Sequence, residues 1–203
     1  MIRHIVTPGL DIAVAGKLNE IVEPRVFDEV LSSARTGDVA ALGEMYRFYQ
    51  PSLVRYLRAN APDAADDLAS ETWLDVAGGL DRFSGGEPDF RRWLFTIARR
   101  RLLDDRRRII RRRTDPAADD RLERSDPAAD TQAEALGRID SAAALRRIME
   151  LSPEQAEVVL LRVVGGLSAE DVASILSKTP GKIRVIQHRA LTQLARQTER
   201  VEQ

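Results

Sequence analysis

Eleven arginines and two aspartates stand in the segment FRRWLFTIARRRLLDDRRRIIRRR, residues 90–113, although the 203-residue chain carries a formal charge of only −1. A guanidinium is planar, permanently charged and able to bond two oxygens of one phosphate. Repeated along one segment, it suits a polyanion such as a nucleic-acid backbone. A second cationic block lies at 178–200, where six bases face Glu199 alone, a net of +5. Acidic blocks alternate with them. Residues 60–89 hold eight acids and one base, a net of −7, and residues 114–140 hold eight acids and three arginines, a net of −5. Near-neutrality is therefore the sum of four opposed blocks, and each basic block points to an anionic partner. Of the 31 basic residues only Lys17, Lys178 and Lys182 are lysines. A GC-rich genome produces the same arginine bias.

Catalytic chemistry finds little support. There is no cysteine, hence no disulfide, thiolate metal site or thiol nucleophile, and the two histidines, His4 and His188, are far apart in sequence. No glycine loop of the phosphate-cradling kind precedes a helix, and no nucleophile has an evident base. The chain reads as a non-enzyme with no cofactor. Asp66, Asp67, Glu71 and Asp75 recur at helical spacing without a histidine beside them, which reads as a solvent- or partner-facing stripe and not as a metal site. No run of ~18 apolar residues predicts a membrane span, and the first 30 residues lack the pattern of a secretory signal. A cytoplasmic protein without membrane insertion is expected.

The elements that position these charges read as helices throughout. Leu42, Met45, Tyr46, Tyr49, Leu53, Tyr56 and Leu57 recur at three- and four-residue intervals, with Gln50–Pro51 expected to kink or divide that helix. Leu68, Thr72, Val76 and Leu80 form one stripe of the next helix, and Trp73 reads as core. Residues 84–88, SGGEP, form a loop by composition. The arginine segment then places Phe90, Leu94, Ile97 and Ala98 toward a core, with Arg92, Arg99, Arg106, Arg100 and Arg107 away from it. Trp93 is balanced between core and an exposed wedge. Residues 114–133 contain two prolines, six acids and a single large apolar side chain, Leu122. They cannot bury enough surface to offset chain ordering and read as a linker.

The sharper motif lies beyond the linker. Ser152, Pro153 and Gln155 form a capping box at a helix start, Ser168 with Asp171 forms a second box, and Thr179–Pro180 opens a third helix. Gly165–Gly166 ends the first of these helices. Only residues 177–179 separate Leu176 from Pro180, the length of the turn in a helix-turn-helix. Val172, Ala173, Ile175 and Leu176 pack the middle helix, and Ile183, Ile186, Ala190 and Leu194 the last. Lys182, Arg184, Val185, His188, Arg189 and Arg196 lie on the other side or flank of that last helix. A cationic, acid-free outer face beside a tight turn is what a major-groove reading helix needs.

Two blocks together resemble the extracytoplasmic-function (ECF) sigma factors of bacterial RNA polymerase. DDLASETWLDVAGGLDRFSGGEPDFRRWLFTIARRRLLDDRRR is similar to region 2 of that family, and LSPEQAEVVLLRVVGGLSAEDVASILSKTPGKIRVIQHRALTQL to region 4; the resemblance spans roughly residues 27–197. It implies an all-α chain of two small helical domains. Residues 26–113 would be region 2, 114–133 the acidic flexible linker, 134–203 the region 4 helix-turn-helix, and 1–25 an extension. It further implies partners: core RNA polymerase through its β′ coiled coil and β flap, promoter DNA, and an anti-sigma factor. Asp66, Asp67, Glu71 and Asp75 would dock on polymerase. Phe90, Arg92, Trp93, Arg99, Arg100 and Arg106 would bind and open the −10 element. Lys182, Arg184, Val185, His188 and Arg189 would read the −35 element. Three positions depart from the family pattern: Arg100 where asparagine is frequent, Gln187 in a usually apolar slot, and Val185 where a small polar residue is common. A 20-residue linker spans ~66 Å when extended, against ~68 Å for 20 base pairs and ~25 Å for a free coil. The two elements are thus within reach only of a stretched linker. The competing readings are a stand-alone helix-turn-helix regulator, which would bind promoter DNA by itself, and a sigma-like adaptor, which would bind polymerase without supporting transcription.

Overall fold

The computed structural model describes residues 24–114 and 144–201, and every regular element among the described residues is helical. The expected extension, 1–25, and the expected linker, 114–133, lie almost wholly outside them.

Four helices build the first unit: α1 (Pro24–Arg35), α2 (Val39–Asn60), α3 (Ala65–Gly79) and α4 (Glu87–Thr114). Gly37, at φ +89°, makes the left-handed turn between α1 and α2, where side chains are strained. Asp38 then caps α2 by accepting from the Ala40 amide at 2.8 Å. The α2 stripe seals Ala41, Met45, Tyr49, Ser52, Leu53, Tyr56 and Leu57. Pro51 lies inside α2 and does not divide it; of the kink or division expected from Gln50–Pro51, division is ruled out. Its ring and Arg47, whose carbonyl loses the proline's missing N–H, both lie on the exposed side. The gap in the hydrogen-bond ladder thus falls on the exposed side of a helix that continues through it. The α3 stripe of Leu68, Thr72, Val76 and Leu80 is buried, as is Trp73, whose indole N–H donates to Gln50 Oε1 at 2.8 Å.

Phe90 anchors α4 in this core. Its ring lies 5.0 Å from Tyr49, 5.6 Å from Phe83, 5.7 Å from Phe27 and 5.8 Å from Trp93. Beside it stands a buried ion pair that composition did not reveal. Arg91 Nη2 is 2.6 Å from Glu87 Oε1, with side chains only 7% and 9% exposed. The same oxygen accepts from Tyr49 Oη at 3.0 Å. Burial and the Glu87 charge push the Tyr49 phenol far above its ordinary range.

The second unit starts with helical residues 144–149. It continues as α5 (Pro153–Val159), a π turn at Leu160–Val164, α6 (Ala169–Leu176) and α7 (Pro180–Val201). Both expected capping boxes form, Ser152 with Gln155 and Ser168 with Asp171. Gly166 at φ +66° and Ser177 at φ 53° make the left-handed exits from the first two helices. Ile183, Ile186, Ala190 and Leu194 are buried under α7.

The buried apolar residues of the two units form one cluster. Gly165 sits at the seam. A Cβ there would stand 3.3 Å from Phe95 Cε1 and 2.7 Å from the Leu161 carbonyl. The Gly165 carbonyl accepts from Arg91 Nη1 at 3.4 Å.

Candidate nucleic-acid interface

The outer face of α7 follows from its inner one. Because the buried residues fall at three- and four-residue steps, Lys182, Arg184, Val185, His188, Arg189 and Arg196 are left exposed, with Val185 at 50%. The helix starts where the Thr179 hydroxyl accepts from the Lys182 amide at 3.3 Å. Arg184 pairs with Glu170 of α6 across the turn. Arg162, in the π turn, holds the flank. It donates to Gln187 Oε1 at 2.9 Å and also to the Leu167 carbonyl. Burial lowers its affinity for its proton relative to an ordinary arginine. The polar Gln187 is thus accommodated in the packing by a guanidinium that bridges three segments of the helix-turn-helix.

The arginines of α4 meet different neighbours on successive turns. Arg92 is bound by Asp89 at 2.8 Å and by Asp171 of α6 at 3.2 Å. Arg99 Nε lies 2.7 Å from Glu157 Oε1 of α5. Arg100 and Arg101 both turn to Asp75 of α3, at 2.7 and 2.6 Å, and Arg101 reaches Glu71 at 3.2 Å. Arg106 donates to Asn60 Oδ1 at 3.1 Å and Arg107 pairs with Asp104 at 3.0 Å. The last turns, from Arg106 to Arg112, are exposed.

Two expectations need correction. Phe90 is 0% exposed, so it has no face for an unpaired base; the four rings around it make it a core residue. Arg92 and Arg99 point away from the core of the first unit as expected but are not a free face, because the second unit packs against α4 and brings Asp171 to Arg92, which also holds Asp89 of its own helix, and Glu157 to Arg99. Trp93 is half-buried and stacked on Phe83, with centroids 5.1 Å apart and an interplanar angle of 20°. Together with Gly79, Arg82 and Ser84 these two rings line an open hollow of about 390 Å³. Gly79 allows this close approach, since a Cβ would come within 2.9 Å of the Trp93 ring and force it to shift.

The acidic stripe of α3 is split. Asp66 and Asp67 are exposed, and Asp66 pairs with Arg58 at 3.2 Å. Glu71 and Asp75 are half-buried against Arg101 and Arg100. Hydrogen bonding from Arg101, joined by Arg100 and opposed by partial burial, holds the Asp75 carboxyl below the usual carboxylate range. Leu74, between them in sequence, is 73% exposed. Among the described residues no cluster of histidines and carboxylates is arranged to hold a metal ion, and no helix is long and apolar enough to cross a membrane.

Sequence reasoning missed Phe83, Arg91, Arg101, Glu157 and Asp171 as members of these constellations. The spacing of Asp171 from Ser168 signals only a cap. Glu157 breaks the apolar run around Ala156, Val158 and Val159, a weak signal of a carboxylate held at a seam.

Comparison with known proteins agrees with this arrangement. Residues 45–114 match the family model for Sigma-70 region 2, and residues 141–194 that for Sigma-70 region 4. The chain is 36% identical over 175 residues to the ECF RNA polymerase sigma factor SigD of Mycobacterium tuberculosis, covering 83% of this chain and 82% of that one. It is 32% identical over 170 residues to the ECF RNA polymerase sigma factor BldN of Streptomyces coelicolor, covering 83% of this chain and 64% of that one, so it spans less than two thirds of this longer relative. Two solved structures share the fold. CnrH, in complex with the cytosolic domain of CnrY, has a TM-score of 0.57 at 20% identity, over 85% of this chain and 97% of that one. The sigma factor RpoE of Bartonella quintana, in complex with the anti-sigma factor NepR, has a TM-score of 0.58 at 24% identity, over 81% and 100%. With both regions matched in order and a relative this similar over most of both chains, the protein belongs to the ECF sigma factors of bacterial RNA polymerase.

Proposed function

We propose that this chain binds core RNA polymerase and directs it to promoters whose −35 element is read by α7 and whose −10 element is held and opened by α4 and the preceding turn. The observation that carries this reading is the sorted α7 helix: Lys182, Arg184, Val185, His188 and Arg189 all exposed above a sealed apolar stripe. Such a helix fits the major groove, where a bidentate arginine contact discriminates bases by ~1–3 kcal/mol. In the first unit, the stacked Phe83 and Trp93 beside Arg82 offer a platform for unpaired bases. Arg92, Arg99, Arg100 and Arg106 supply phosphate contacts once their internal partners are exchanged. Asp66, Asp67 and the exposed Leu74, with Glu71 and Asp75 behind them, form the face that docks on the β′ coiled coil, while the region 4 unit meets the β flap. Residues 26–113 and 134–203 are the two functional domains, joined by 114–133. An anti-sigma factor fits as regulator, since RpoE, which shares the fold, was solved with one. The chain supplies recognition in the cytoplasm, and the polymerase supplies catalysis. Run-off transcription with core enzyme on a genomic library tests this. Discrete start sites that require the chain are expected. Their absence, or promoter binding that needs no polymerase, would overturn the reading.

A further inference from the structure

We propose that Val185 and Gly181 of α7 form an apolar notch that takes the C5 methyl of one thymine in the −35 element. The inference rests on the reading of α7 as the −35 helix and deepens it. It names the base selected at one position and the group by which it is selected.

Neither residue is explained by the fold. Gly181 follows Pro180 in the first turn of α7 and is exposed. A Cβ built on it meets no atom of the described residues within 4 Å, and its backbone is not left-handed. Alanine would fit there and would favour the helix. Val185 is half exposed, and a branched side chain is a poor choice for a solvated helix face. The buried stripe runs through Ile183, Ile186 and Ala190 without it.

The two residues are four apart and lie one above the other on one face. Every Cα–Cβ bond tilts toward the start of its helix. The Val185 side chain thus leans toward a turn where Gly181 has no side chain to cover it. Lys182, His188 and Arg189 surround the spot at three- and four-residue steps, and all three are exposed. Arg184 is drawn aside by Glu170 of α6. The result is an apolar notch inside a cationic rim, pre-shaped because valine keeps one main rotamer in a helix.

Recognition helices meet base edges with their first turns. In the major groove the thymine C5 methyl is the one methyl that a base edge presents. A hydroxyl at residue 185, as a small polar side chain brings, bonds donors and acceptors alike. An isopropyl group bonds neither and gains only from apolar contact. The departure from the family pattern at this position therefore exchanges a tolerant contact for one that selects a methyl.

The test uses the full chain with core polymerase. A promoter library randomised at the −35 element is selected by transcription. Each thymine of the selected element, on either strand, is then replaced in turn by deoxyuridine, which lacks the methyl and keeps the pairing. One position is expected to lose about fourfold in competition, the worth of a single methyl-sized group removed from water. Val185→Ala should abolish that loss, so that thymine and deoxyuridine compete alike. Gly181→Ala should keep or raise far-UV helicity and yet weaken binding of the thymine element more than of its deoxyuridine counterpart. Equal weakening of both elements by both variants marks a structural role and overturns the proposal. So does a selected element without thymine on either strand, a deoxyuridine series with no weak position, or discrimination that persists in Val185→Ala. In each of these cases the reading of α7 survives if a scrambled −35 element competes poorly. If the scrambled element competes as well as the selected one, α7 does not read the −35 element and both fall.

Discussion

The Glu87–Arg91 pair offers a quantitative check on what holds the start of α4 in place. Glu87 Oε1 accepts three bonds: Arg91 Nε at 2.8 Å, Arg91 Nη2 at 2.6 Å and Tyr49 Oη at 3.0 Å. Glu87→Ala removes all three and leaves a guanidinium that is 7% exposed without its carboxylate. Breaking such a buried pair costs ~3–5 kcal/mol. Arg91 keeps the Gly165 carbonyl at 3.4 Å and the Tyr49 ring at 5.3 Å, which places the loss at the lower end, ~3 kcal/mol. For a chain of this size that corresponds to a fall in Tm of ~6–12 °C. Removing both charges together, Glu87→Leu with Arg91→Met, leaves no charge of the pair uncompensated and mainly costs the buried Tyr49 hydroxyl its Glu87 acceptor, so stability should return to within ~1–2 kcal/mol of the parent. Urea unfolding followed by tryptophan fluorescence suits the experiment, since both tryptophans, Trp73 and Trp93, lie in the first unit near this network. The cycle isolates the coupling. A loss under ~1 kcal/mol for Glu87→Ala, or a double variant as unstable as the single one, would refute the claim that this pair anchors the start of α4.

Three further outcomes are expected. Asp75 is ionised more readily than an ordinary aspartate because Arg101, then Arg100, bond to it; its stabilisation is present above about pH 3.9 and is lost as pH falls through the lower folded value. Asp75→Asn should therefore lower stability by about 1 kcal/mol at pH ~7, given its partly exposed partners, and converge on the parent in more acid solution; urea midpoints that run parallel down to about pH 3 would contradict it. Arg162 acts as a positioning residue through Gln187, so Arg162→Lys and Gln187→Leu should both reorder preference across a −35 library, whereas a uniform loss at every −35 sequence would mark a purely structural role. Arg184→Ala with Arg189→Ala should relax base preference at the −35 element, by ~1–3 kcal/mol for any bidentate contact removed, and unchanged selectivity in a competition assay would exclude this face.

The helices were legible wherever chemistry is local. Ser152–Gln155, Ser168–Asp171 and Thr179–Pro180 announce helix starts because capping is settled within four residues, and the α7 stripe follows from spacing alone. What sequence did not reveal is which neighbour each α4 arginine meets. A helix with arginines on almost every turn looks uniformly basic until its partners are placed. Glu87 and Arg91 have the spacing of an ordinary surface i,i+4 pair; their burial depends on Tyr49, 38 residues away, and on Gly165 from the other unit. Phe90 suited both a core and a base platform, and three other aromatic segments decide between them. Pro51 divides nothing, and it and Arg47 lie on the exposed side of α2, a fact about the bundle and not about the dipeptide.

The near-zero net charge takes on a meaning in this arrangement. Along α4, Arg91 finds its carboxylate inside the first unit, Arg92 and Arg99 reach carboxylates of the second, and Arg100 and Arg101 turn to the stripe of α3. From Arg106 to Arg112 the side chains are exposed. The acids are thus distributed to match the arginines turn by turn, and the helix presents a graded series: cations locked by burial, cations held by exchangeable carboxylates, and cations facing water. A polyanion approaching from solvent meets the last group first, where no domain movement is needed. It gains the middle group only by displacing Glu157, Asp171 and Asp75. Contact with the end of α4 can therefore precede, and help to drive, the exchange of those carboxylates.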